Sequence, residues 1–129
     1  MVFTALAFLT VLLHLCFILF VVLGGFAVLR RPRLAPLHLA SALWGAYVAL
    51  AHRICPLTPL EKWFRRQGGG AAYPGDFIEH YLLAVIYPKG LTATTQSALG
   101  AIVIVLNVAI YAWIVRRRRR ASDVTPPEA

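Results

Sequence analysis

The sequence predicts an all-α membrane protein with three transmembrane helices and two short interfacial or re-entrant helices between the second and third. Three observations carry the prediction. Hydrophobic residues make up 60% of 129 and mean hydropathy is +0.71, too apolar for a chain that must present a polar surface to water. Residues 2–29 carry no formal charge, and about 20 apolar residues cross the hydrocarbon core as a helix. The bases cluster at segment ends, as Arg30, Arg31 and Arg33 and as Arg116, Arg117, Arg118, Arg119 and Arg120, where topology-setting residues sit. The alternative is a four-helix membrane bundle, in which the second short helix also crosses.

The length fits one domain: a helical membrane domain over 1–115 and a basic, disordered cytoplasmic tail over 116–129. The first span covers about 2–29. No basic segment precedes it, its apolar run is too long for a signal peptide, and no small-residue cleavage site follows, so it reads as a retained anchor. Pro32, among arginines, ends it. The second span covers about 34–54 and carries Ser41, Gly45 and Ala49 at four-residue spacing. A ridge of small residues lets another helix approach closely in lipid, and Gly24 and Gly25 of the first span are the candidates to meet it. The third span covers about 91–115, with Tyr111 and Trp113 at its interfacial end.

The loop 55–90 is organised around Cys55-Pro56-Leu57-Thr58-Pro59-Leu60-Glu61. Thr58 as N-cap, Pro59 at N1 and Glu61 at N3 form a capping box. The helix they start has Leu60, Trp63 and Phe64 on one side and Lys62, Arg65 and Arg66 on the other, an interfacial pattern. Gly68, Gly69 and Gly70 stop it. A second start, Asp76-Phe77-Ile78-Glu79, opens a helix to about Tyr87, before Pro88 and Gly90. That is too short to cross. With three spans both arginine clusters are cytoplasmic, while the N-terminus and loop 55–90 face outward. A fourth crossing would put five arginines outside, which the same rule disfavours.

The net charge of +8 lies at segment ends, which points to anionic lipid headgroups and not to nucleic acid. Cys16 and Cys55 sit at different depths, so no disulfide is expected. His14 lies mid-span, where an ionisable group is expensive. It is either a cofactor ligand or proton relay, or a neutral imidazole bonded to a neighbour such as Asn107. His38, beside the arginines, reads as interfacial. His52 and Cys55, three apart on one helical face, are a two-ligand metal pair with no second pair to complete it. His38 and His52 have two-haem spacing without a matching helix, which leaves single-haem ligation by His14 and His52.

Folding the loop back gathers His52, Cys55, Glu61, Glu79 and His80, ringed by Arg53, Arg65 and Arg66. Such arginines can hold a lipid phosphate or carboxylate, and a Cys–His or Glu–His pair can do nucleophilic or acid–base work. The first reading is therefore a non-enzymatic protein that binds a lipid or a partner protein, a second copy included, through this outward cluster. The second is a small redox, haem or metal-binding protein. The third is a lipid-modifying enzyme using Cys55 or His80. No cofactor is predicted outright; haem or a metal ion belongs to the second reading.

The order His14, Pro32-Arg33-Leu34, Leu37-His38, Trp44-Gly45, Ile54 to Glu61 with Trp63, Phe77-Ile78-Glu79-His80-Tyr81-Leu82, Tyr87-Pro88 and Gly90-Leu91 resembles a group of small bacterial inner-membrane proteins, a domain family of unknown function. The resemblance covers about residues 5–115. It implies a multi-pass bacterial inner-membrane protein with a compact helical domain, and no activity.

Overall fold

The computed structural model describes residues 1–72, 74, 80–81 and 92–123, and among them every regular element is helical. They are α1 (Val2–Arg30), a 3-10 turn (Pro32–Leu34), α2 (Ala35–Leu50), α3 (Leu57–Gln67) and α4 (Ala93–Asp123). By length and composition two of these, α1 and α4, can cross a membrane. The expected third, α2, has 16 residues; at 1.5 Å per residue it rises about 24 Å, against a hydrocarbon core of about 30 Å. The second short helix, Asp76 to Tyr87, falls almost wholly outside the described residues, and with it the four-helix alternative.

Side-chain contacts set the register. The Asn107 amide donates to the Val21 carbonyl at 3.1 Å, Gly25 faces Ile110, and Val28 packs with Ile110 and Ile114. Each residue of α4 thus meets the one about 86 earlier in α1, as the Asn107–Val21 separation records; the two helices are parallel and both arginine clusters fall at one end. Between them α2 runs the opposite way: His38 lies against Gly24, Gly45 against Val21, and Ala49 against Gly100. Gly45 and Ala49 thus face two different helices, while Ser41 bonds back to the Leu37 carbonyl within α2. Of the glycines expected to meet the ridge, Gly24 takes the His38 ring and Gly25 turns to α4.

The other faces are apolar and uncovered. Leu9, Leu13, Leu23, Leu43, Val105 and Val108 are all more than half exposed, the kind of exposed apolar surface that marks contact with a membrane or a partner.

Helix ends correct several expectations. The second helix stops at Leu50, short of Ile54, because His52 adopts φ 51°. The Arg53 N–H then donates to Val48 O at 2.9 Å and the His52 N–H to Ala49 O at 3.4 Å, the Schellman pattern that closes helices through a left-handed residue. At Gly69, with φ +78°, the same device ends α3: Gly70 N–H donates to Arg65 O and Gly69 N–H to Arg66 O. The capping box does not form. The helix starts two residues early, at Leu57, with Pro56 as N-cap and no side-chain cap bond, and Thr58 and Glu61 turn inward. At the other end α4 continues through Arg116–Arg120 to Asp123, where a disordered tail from 116 was expected. Thr92 supplies its start, accepting the Thr95 N–H at 3.2 Å.

Finally, α3 lies along the first half of α1. Trp63 meets Phe3 edge to face with centroids 6.1 Å apart, and Gly68 sits against Thr4. Because Ala93 is level with the second turn of α1, the first turns of α1 project past α4, and α3 packs on that overhang.

Candidate functional site

Among the described residues His38 is, with Glu61, the most enclosed polar side chain. It was expected at the interface, yet its side chain is 0% exposed. The ring enters the gap that Gly24 leaves, meets Phe20 edge to face at 5.3 Å and stacks on Tyr111 at 5.7 Å. Its Nδ1 shares a 2.9 Å hydrogen bond with the Tyr111 hydroxyl. One imidazole therefore ties α1, α2 and α4 together. Depth alone mimics an interfacial position; only the tertiary partner Tyr111 distinguishes them.

Toward the other end, a cavity of about 110 Å³ opens between α1, α2, α4 and the Cys-Pro turn. Its walls are Phe17, Ile18, Val21, Trp44, Leu99 and Val103. Polar side chains occur at one end: His14, Cys55, Thr58 and Gln96. Thr58 is 1% exposed and its hydroxyl has no hydrogen-bond partner. An unpaired buried hydroxyl costs about 1–3 kcal/mol. Asn107, suggested as the neighbour of His14, lies instead level with Val21, its amide nitrogen spent on the carbonyls of Val21 and Val103.

Beside the cavity is an ion-pair group. Glu61, 0% exposed, accepts from Arg65 Nε at 2.8 Å and from the Tyr81 hydroxyl at 3.1 Å. Arg65 also donates to the Tyr81 oxygen and lies over that ring. Burial, then the Glu61 charge, raise the Tyr81 pKa above its usual value, so the phenol stays a donor. Spacing makes Glu61 and Arg65 an i, i+4 pair; nothing in the sequence singles out Tyr81.

The outward cluster read from the sequence is thereby divided. Cys55 joins the cavity and Glu61 the ion-pair group. His52 turns to α4, its Nε2 2.9 Å from Ser97 Oγ, so His52 and Cys55 do not share a helical face. The His80 ring meets Tyr81 edge to face at 4.7 Å. Arg53 contributes a carbonyl to Gln96, Arg66 is exposed, and Glu79 lies outside the described residues. Among the described residues no three His, Cys, Asp or Glu side chains are grouped to hold a metal ion. Cys16 and Cys55 form no disulfide with each other.

A family model described as "Protein of Unknown function (DUF2784)" matches residues 4–112. The chain belongs to the DUF2784 family. No curated protein and no solved structure matches this DUF2784 chain. The match takes in α1 to α3, the cavity and most of α4, and leaves out the five arginines.

Proposed function

We propose that this DUF2784 protein crosses the membrane three times and binds an amphiphile in the cavity beside the Cys-Pro turn. The observation that carries the reading is the buried, unpartnered Thr58 hydroxyl at the polar end of an otherwise apolar cavity. A cavity of about 150 Å³ holds a benzene ring; at about 110 Å³ this one is smaller and suits a short length of chain. The rest of the ligand would lie along the uncovered helices in the bilayer. The polar part would meet Thr58, Gln96, His14 and Cys55, with Arg53 and Arg66 free to meet an anionic group in the headgroup layer.

The three-span topology is supported by α2 packing antiparallel between two spanning helices, extended at its ends by the 3-10 turn and the His52 turn. With both arginine clusters at one end, that end is cytoplasmic and the N-terminus and α3 face outward. The motif resemblance supports a bacterial inner membrane as the location.

Lipid extraction from protein purified in mild detergent tests the binding reading, with an absorbance spectrum on the same sample. About one retained lipid per chain is expected, lost in Gly45→Leu, whose side chain would enter the cavity, and weakened in Thr58→Val. Equal lipid in all three proteins overturns it. A Soret band or stoichiometric metal would instead favour the redox reading.

A further inference from the structure

The basic ends of α1 and α4 enclose a cleft of about 690 Å³ lined by Phe26, Leu29, Arg30, Ile114, Arg117 and Arg118. On α4 the positions 114, 117 and 118 follow helical spacing, so they share one face; Arg116, Arg119 and Arg120 point elsewhere. Arg117 is anchored, its guanidinium 5.7 Å above the Trp113 ring, at the depth where an interfacial tryptophan sits. Among the described residues, none of the three cleft arginines has a carboxylate partner. Five consecutive arginines nevertheless stay helical, although like charges four apart oppose a helix. An anion between the helices would offset that repulsion.

We propose that this cleft binds one anionic glycerophospholipid of the cytoplasmic leaflet. Its phosphate is held between Arg30 of α1 and Arg117 and Arg118 of α4, and one acyl chain lies on Phe26, Leu29 and Ile114. Charged above and apolar below, the cleft matches a lipid in both parts, which free phosphate does not. Basic pockets between membrane helices on the cytoplasmic side bind anionic headgroups in this way. The site is at the opposite end of the bundle from the Thr58 cavity, so either can fail without the other.

The test is thermal unfolding of the full-length protein in detergent micelles titrated with phosphatidylglycerol, phosphatidylcholine or inorganic phosphate. Only phosphatidylglycerol should raise Tm. The Arg117→Gln/Arg118→Gln variant should need roughly twenty-five times more of it, about fivefold per arginine lost, and Arg30→Gln about five times more. Arg116→Gln/Arg119→Gln removes the same charge from other faces and should respond as the parent does. Equal loss in the two double variants, a response to phosphatidylcholine or inorganic phosphate alone, or no response at all overturns the proposal. If the Arg117/Arg118 variant does not fold, Arg30→Gln decides the matter.

Discussion

His52 holds the left-handed conformation that glycine adopts without strain, at the position that ends α2. Holding it there are hydrogen bonds from its ring to Ser97 and the Ala93 carbonyl. His52→Ala should lose about 1 kcal/mol for the side-chain bonds and keep the strain. His52→Gly should lose the same bonds but recover about 1 kcal/mol of strain. The glycine variant should therefore melt higher than the alanine variant; equal melting would mean the turn is not strained. At the opposite end of α2 the constraint is space. A Cβ at Gly24 would lie 2.5 Å from His38 Cδ2, and the His38 ring is enclosed on every side. Gly24→Ala should cost about 1–3 kcal/mol of overpacking, measured as a lower Tm in detergent. Tyr111→Phe should cost about 1 kcal/mol.

At the scale of elements, α3 shows what was legible and what was not. Its existence followed from Pro59, Glu61 and the amphipathic order of Leu60, Trp63 and Phe64, and its stop from Gly68–Gly70. Its start did not, because Thr58 and Glu61 satisfy a capping pattern and a burial pattern equally well in one dimension. Burial won, since the overhang of α1 offers a partner that a local motif cannot announce. For the same reason α1 and α4 were legible from their unbroken apolar runs. The end of α2 was not, since a histidine in a glycine conformation leaves no trace in composition. The cavity could not be read at all; it exists only where four elements meet. If α3 is held by its inward ion pair, Arg65→Met should free it by exposing Glu61 to a buried environment without Arg65. Limited proteolysis near Gly69 should then quicken about tenfold, and Glu61→Gln, which keeps an acceptor, should have a smaller effect. Equal cleavage of both variants and the parent would mean the ion pair does not hold α3.

Over the whole molecule, the parallel pairing of α1 with α4 fixes which ends share a side. Cysteines at positions 69 and 122, in a background with Cys16 and Cys55 replaced by serine, should be labelled from opposite sides of the membrane. Labelling of both from one side would eliminate the three-span arrangement. The same pairing also bears on how the protein is made. His38 and Tyr111 are 73 residues apart in the chain, so at roughly 5–20 residues per second the ribosome needs about 4–15 s between them. In the proposed three-span arrangement, α1 and α2 would stand as a hairpin for most of that interval, the His38 imidazole without the Tyr111 phenol that covers it. In that arrangement the first two helices wait, without the partner that completes their packing, until α4 has been made.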